Sequence, residues 1–256
     1  MSMKRLKRAS LTVVYLAVAA GALGTVKKSR TPEAAVVHAL TASREQSAAG
    51  SVGRALFVAP PTDLDEPDRA AVRRKLRHDE PGTYIAEILQ LRDSSLARWP
   101  DRGDRPLTVW IQPTARVDDW MPGYVDRVRE AFEEWQDVGL PLGFQFVDDS
   151  ADAEVHVNWI DHFSEPISGR TKWARDDEWL ITDANIILAV HHHQGEVLDE
   201  EAMRAMALHE VGHLLGLDHT QDPTSIMAPK VRVRDLSSAD RATVRLLYSL
   251  PPGPVR

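Results

Sequence analysis

Apolar positions along the C-terminal part of the chain recur first at strand spacing and then at helix spacing. Five short apolar or alternating runs, at residues 107–111, 144–147, 154–159, 169–174 and 184–190, predict β-strands. Three longer segments, at residues 122–138, 199–215 and 237–248, predict helices. The pattern therefore predicts an α+β (mixed α/β) domain at residues 103–251, followed by a short tail at 252–256.

The segment at residues 27–102 has a different pattern from the predicted domain. Prolines interrupt it repeatedly, its apolar content is thin, and its charges are mixed. Apolar residues between Tyr84 and Leu96 predict one amphipathic helix. We interpret the segment as a pro-segment, a stalk or an accessory region.

The N-terminus has the pattern of an export signal. Four basic residues, Lys4, Arg5, Lys7 and Arg8, precede an apolar run at residues 11–26. This run is shorter than the roughly 20 residues that a membrane-spanning helix needs. Residues 1–26 are therefore predicted to be a signal peptide or an N-terminal membrane anchor. We expect an exported protein, secreted or membrane-anchored, with the folded domain outside the cytoplasm.

Composition narrows the classes of partner and chemistry. The net charge of −7 argues against nucleic acid as a main partner. Because the chain contains no cysteine, disulfides, thiolate metal sites and a cysteine nucleophile are excluded. We expect a monomer.

One motif carries candidate chemistry, since the string from residue 209 to residue 219 has the form HExxHxxGxxH. Residues four apart on a helix differ by about 40° in azimuth and roughly 6 Å in height, so His209 and His213 point at one metal ion. Gly216 suits the left-handed conformation that ends a helix, and the turn brings back His219 as a third ligand. Glu210 projects beside them, close enough to handle a metal-bound water. Three imidazoles with one open position describe a catalytic zinc site, because structural zinc sites are usually closed by four protein ligands.

The string resembles the metzincin zinc peptidases, whose pattern continues into a methionine turn. Residues 225–229 are the candidate for that turn, in which Met227 would form an apolar floor beneath the ligands. Within the metzincins the chain most resembles the matrixins, because Thr220 follows His219 and residues 236–248 look like the matrixin C-terminal helix. The resemblance covers about residues 105–251.

The resemblance implies a fold and an activity. The fold is a twisted five-stranded mixed sheet with an active-site helix, a backing helix and a C-terminal helix. The activity is hydrolysis of extended polypeptides by a zinc-bound water, with Glu210 as general base. The alternative is a catalytically silent, zinc-stabilised binding module of the same fold, although the intact Glu210 speaks against it. In this fold the antiparallel edge strand lines the cleft and binds substrate. By chain order, that strand consists of Gly169, Arg170, Thr171, Lys172, Trp173 and Ala174.

The chain departs from the matrixin pattern in two respects. Without cysteine, the thiol switch that keeps many matrixin zymogens latent cannot operate. The loop at residues 161–169 is short and lacks the His-x-Asp pattern of the second zinc site. The sequence therefore supports one catalytic zinc ion and gives no support for a structural zinc or the usual calcium sites.

Three polar positions near the motif each leave two interpretations open. Asp218 is an exposed turn residue or a hydrogen-bond partner of a ligand ring. Asp240 is a helix cap or an anchor for the methionine turn or a mature N-terminus. The run at residues 191–193, three histidines, is a solvated loop or a second metal-binding group.

Overall fold

A computed structural model gives the fold of residues 66–255. The apolar run at residues 11–26, predicted as a signal or an anchor, lies outside the described residues. Among the residues described, no helix is both long and apolar enough to cross a bilayer. The described part contains the whole of the predicted domain and about the last half of the segment that precedes it.

Five helices and seven strands make up this part of the chain. In chain order they are α1 (Glu66–Asp79), α2 (Ile85–Leu91), β1 (Ser95–Leu96), β2 (Leu107–Ile111), α3 (Gly123–Gln136), β3 (Phe144–Phe146), β4 (Val155–Ile160), β5 (Gly169–Arg175), β6 (Ile181–Ala189), α4 (Glu200–Leu214), α5 (Ser238–Tyr248) and β7 (Gly253–Pro254). From β2 to α5 the order is the predicted one, with boundaries that differ by at most three residues.

The central sheet has the strand order β3-β2-β4-β6-β5. The first four strands are parallel to one another, and β5 is antiparallel to β6 at the sheet edge. The predicted mixed five-stranded sheet is therefore confirmed. Placing β5 at the edge leaves one side of its backbone free of any strand partner among residues 66–255.

The period-two pattern of the strands decides which sheet face is buried. In β2, Leu107, Val109 and Ile111 are buried while the residues between them are partly exposed. This face packs against α3 and α4, and the indole of Trp135 in α3 donates to the carbonyl of Leu208 in α4 at 2.9 Å. The sheet, α3 and α4 therefore share one hydrophobic core.

Helix α4 is buried on nearly every side. Its N-cap is Asp199, as the sequence predicts, and the Asp199 side chain accepts from the amide of Ala202 at 2.7 Å. It ends before Gly216, whose φ of +98° is left-handed. A side chain at Gly216 would also strike the carbonyl of Ala97. The predicted helix and the glycine turn that ends it are both confirmed.

The segment ahead of the predicted domain contributes to the same core. Tyr84, Ile85, Ile88, Leu96 and Trp99 are each at most 4% exposed. Strand β1 pairs with β7 near the C-terminus. The predicted amphipathic helix exists, but its predicted length is wrong, because α2 ends at Leu91. Shortly after it, Asp93 and Ser94 adopt positive φ and turn the chain into β1.

Candidate metal centre

Three histidines meet at the end of α4. The Nε2 atoms of His209 and His213 lie 3.1 Å apart, and the Nε2 atom of His219 lies 3.2 Å from each of them. His209 and His213 come from successive turns of α4, and His219 comes from the loop that Gly216 begins. The structure therefore brings together the three residues that the motif predicts.

The outer nitrogens of the first two rings fix their tautomers. The Nδ1 atom of His209 lies 2.7 Å from the carbonyl of Ile226, and that of His213 lies 3.0 Å from the carbonyl of Leu217. A carbonyl only accepts, so each Nδ1 carries the proton and each Nε2 presents a lone pair inward.

Burial favours the neutral form of all three imidazoles. It lowers the pKa of His209 to about 4, an effect to which His219 adds. Burial, together with the neighbouring histidines, lowers the pKa of His213 well below its ordinary value, and burial also lowers the pKa of His219.

This arrangement fits a metal ion. Lone pairs of neutral rings that face each other at 3.1–3.2 Å repel unless a cation lies between them. Tetrahedral zinc with Zn–N bonds of about 2.0–2.1 Å separates its nitrogen ligands by roughly 3.3–3.4 Å. The donor set, its spacing and its protonation state therefore suit zinc.

Glu210 is a buried carboxylate beside the triad. Its residue is 3% exposed, and the hydroxyl of Thr171 donates to its Oε2 atom at 2.6 Å. Burial raises the pKa of Glu210 to about 7, against the opposing effects of the Thr171 hydrogen bond and the Arg170 charge. Such a group exchanges a proton near neutral pH.

A glycine in β5 makes room for this carboxylate. A Cβ at Gly169 would lie 2.7 Å from Cγ and 2.8 Å from Cδ of Glu210, closer than such atoms approach. Sequence reasoning placed Gly169 and Thr171 on the edge strand but missed their contact with Glu210. The motif offers no signal for it, because the contact crosses 39 residues of chain.

The methionine turn lies against the ligand helix. Met227 is fully buried, and its sulfur fills the space that a side chain at Gly212 would need. The amide of Thr220 donates to the Met227 carbonyl at 3.1 Å, which ties the turn to the loop of the third histidine. The turn therefore supports both the helix and the loop.

Asp240 serves in both roles that the sequence left open. It completes the capping box of α5 with Ser237, and its Oδ2 atom accepts from the Ile226 amide at 3.1 Å. Its Oδ1 atom accepts from the hydroxyl groups of Ser225 and Tyr84. Asp240 is therefore the buried junction of α5, the methionine turn and the segment before α2.

A cleft of about 890 Å³ opens over the histidines and Glu210. The edge strand β5 forms one wall, with Gly169 to Trp173 facing the cleft. Arg92, Asp218 and Pro229 contribute to the rest of the lining. Asp218 pairs with Arg92, a residue that the sequence analysis did not consider.

The histidine run after β6 is separate from this cleft. His191 and His192 are buried, at 8% and 7% exposure, so a solvated loop is wrong for both. The two ring nitrogens of His191 lie 2.6 Å from Oδ1 of Asp161 and 3.1 Å from Oδ2 of Asp119. The His191 ring therefore links two loops through carboxylates.

A family model described as Matrixin matches residues 107–249, more than half of the chain. The chain belongs to the matrixin family. The match spans β2 to α5 and so contains the three histidines, Glu210 and the methionine turn, but it leaves out α2 and Arg92.

Individual relatives agree with the family match. The chain is 28% identical to Metalloendoproteinase 1-MMP of Arabidopsis thaliana, over 57% of this chain and 44% of that protein. It is 25% identical to Metalloendoproteinase 1 of Glycine max, over 61% and 54%, and 28% identical to Matrix metalloproteinase-16 of Homo sapiens, over 56% and 27%. The alignments thus span about half or less of the length of these relatives.

Proposed function

We propose that this chain is a zinc-dependent endopeptidase that hydrolyses peptide bonds of extended polypeptides. The observation that carries the proposal is the buried Glu210 carboxylate beside three neutral imidazoles whose lone pairs converge. The likeness to metalloendoproteinases of Arabidopsis thaliana and Glycine max supports the same reaction class.

Each residue of the centre has one chemical task. His209, His213 and His219 would hold zinc, which when bound supplies Lewis acidity toward water and the scissile carbonyl. Glu210 accepts the proton of the attacking water and returns it to the leaving amine. Thr171 holds one carboxylate oxygen in place through its 2.6 Å hydrogen bond. Met227 packs under the helix that carries two of the ligands.

The substrate would bind along β5. Its outer edge presents N–H and C=O groups that no strand of the described residues pairs. An extended polypeptide can add to such an edge as a further antiparallel strand. We therefore propose that substrate binds along Gly169, Arg170, Thr171, Lys172, Trp173 and Ala174, with the scissile bond beside Glu210.

We also propose that the protein acts outside the cytoplasm as a monomer. The basic residues followed by the apolar run at residues 11–26 support export, by a cleaved signal or a retained anchor. Mass spectrometry of the N-terminus of the mature protein tests this: a start at residue 1 in a soluble cytosolic fraction would contradict it.

The reaction is tested with Glu210→Gln. Loss of a general base lowers turnover by about 10²–10⁴-fold, so the zinc-loaded variant should show a loss of this size on unfolded casein. Zinc content, measured by mass spectrometry, should equal that of the unchanged protein. Glu201→Gln, in the exposed first turn of the same helix, is the matched control and should keep full turnover.

Two outcomes would contradict the proposal. One is cleavage that persists in the presence of a zinc chelator. The other is absence of cleavage by the unchanged protein at full zinc occupancy, which would favour the silent binding module.

A further inference from the structure

The third histidine lies on a loop that has no regular structure to hold it. Residues 216–221 follow α4, and His219 lies at their centre. A helix fixes His209 and His213, whereas the position of His219 depends on what the loop contacts. Some of these contacts are made by α2 and by Arg92, the residue after it. Both lie in the part of the chain outside the family match.

Arg92 binds the loop on the N-terminal side of His219. Its Nη1 atom donates to the carbonyl of Gly216 at 3.0 Å, and its Nε atom forms an ion pair with Oδ2 of Asp218. The guanidinium also lies 5.1 Å from the ring centroid of Trp173 in β5. Only 14% of the Arg92 side chain is exposed. One partly buried cation therefore connects the ligand loop to the substrate-side strand.

Glu87 binds the loop on the C-terminal side of His219. Its Oε1 atom accepts from the hydroxyl of Thr220 at 2.9 Å, and its Oε2 atom accepts from the amide of Gln221 at 2.8 Å. With Arg92, this carboxylate brackets the third ligand on both sides. Hydrogen bonds to a charged group are stronger than those between neutral groups, which suits a positioning role.

The segment that carries these two residues is itself held firmly. Ile85 and Ile88 of α2 are 1% and 0% exposed. The amide of Tyr84 donates to the hydroxyl of Thr243 at 3.0 Å, and its phenol donates to Asp240 at 3.1 Å. Helix α2 is thus attached to α5 and, through Asp240, to the methionine turn.

We infer that Glu87 and Arg92 are positioning residues of the metal centre, and that the functional peptidase domain begins before Tyr84. The inference rests on the proposed zinc function. By bracketing His219, the two side chains hold the third imidazole at the spacing that zinc requires. Partners of this kind typically change metal affinity by about 10–100-fold when they are removed.

The test compares Arg92→Ala with Arg98→Ala in the full chain. Arg98 is also a buried cation of the same segment, and it bonds to the carbonyls of Leu250 and Trp99 and to Asp101. None of these groups belongs to the ligand loop. The dissociation constant for zinc is measured by competition with a chromophoric chelator, at a temperature where circular dichroism shows each variant folded.

Arg92→Ala should weaken zinc binding by about ten-fold or more, and Arg98→Ala should leave it within about two-fold. Equal affinities of Arg92→Ala and the unchanged protein, or equal losses in both variants, would overturn the inference. If Arg92→Ala does not fold, Glu87→Gln decides, because its loop contacts lie nearer the surface: unchanged zinc affinity there overturns the inference. If the wild-type protein itself binds no zinc, the proposed function is overturned instead.

Discussion

At the residue scale, two glycines let the centre form. Gly212 allows α4 to lie against the sulfur of Met227, and Gly169 allows β5 to lie against Glu210. In each case the missing Cβ permits a closer approach of two elements than any other residue would allow. The position of Glu210 therefore depends on a residue 41 positions earlier, which the zinc motif does not include.

Gly169→Ala should lower turnover much more than it lowers stability. The added Cβ would meet Cγ and Cδ of Glu210 at 2.7 and 2.8 Å and displace the carboxylate. We expect at least about a ten-fold loss of kcat, with a stability cost of about 1–3 kcal/mol from overpacking. Zinc content should not change, because no ligand is touched.

Gly143→Ala is the matched control for that substitution. The atom nearest to a Cβ there would be the side-chain oxygen of Gln136, at 3.3 Å, and the cleft lies elsewhere. Steady-state kinetics and urea unfolding distinguish the two variants. Wild-type kcat in Gly169→Ala would show that Glu210 does not need its present position.

At the element scale, α2 belongs to the same hydrophobic core as the sheet and the later helices. It is only seven residues long, yet its buried face packs against α5. Short isolated helices are marginal in water, so α2 owes its stability to this packing. A segment that was removable without effect would not contribute side chains at 0–1% exposure to the common core.

Ile88→Ala and Leu91→Ala test this view of α2. Ile88 is 0% exposed and should cost about 2–5 kcal/mol of unfolding free energy when truncated. Leu91, on the same helix, is 65% exposed and should change stability by less than about 0.5 kcal/mol. Both values come from denaturant unfolding of the zinc-loaded protein. A cost below about 1 kcal/mol for Ile88→Ala would contradict a shared core.

At the scale of the whole molecule, an ion pair attaches the loop before β2 to the central sheet. Arg102 donates to the two carboxylate oxygens of Glu154 at 2.9 and 2.7 Å, which connects the entry to β2 with the start of β4. Burial alone would raise the pKa of Glu154, but the hydrogen bonds from Arg102 and Thr108 outweigh it and lower that pKa from 4.5.

Glu154→Gln should therefore change how the free energy of unfolding depends on pH in the acid range. A carboxyl whose pKa is lowered on folding stabilises the protein above its unfolded pKa of about 4.5, and the stabilisation is lost as pH falls through the folded pKa. The unchanged protein should be more stable than the variant at pH 7, and this difference should shrink below about pH 4.5. Urea unfolding across that range measures it. A difference that stays constant would contradict the ion pair.

Local sequence was enough to predict the elements from β2 to α5 and the three histidines that converge. Helical periodicity places His209 and His213 on one face, and Gly216 predicts the turn that brings back His219. The helical face and the turn both follow from backbone geometry within eleven residues. The same holds for the Asp199 cap and for the alternating strands of the sheet.

Tertiary structure alone decided the contacts between elements distant in sequence. Thr171 meets Glu210 across 39 residues, and Arg92 meets Gly216 across 124. The buried environment of His191 depends on carboxylates 30 and 72 residues away. The apolar content before residue 103 is thin, yet among residues 66–102 it includes five side chains that are each at most 4% exposed: Tyr84, Ile85, Ile88, Leu96 and Trp99. Periodicity records which face of an element is apolar, whereas the identity of the partner on that face is fixed only when the chain packs.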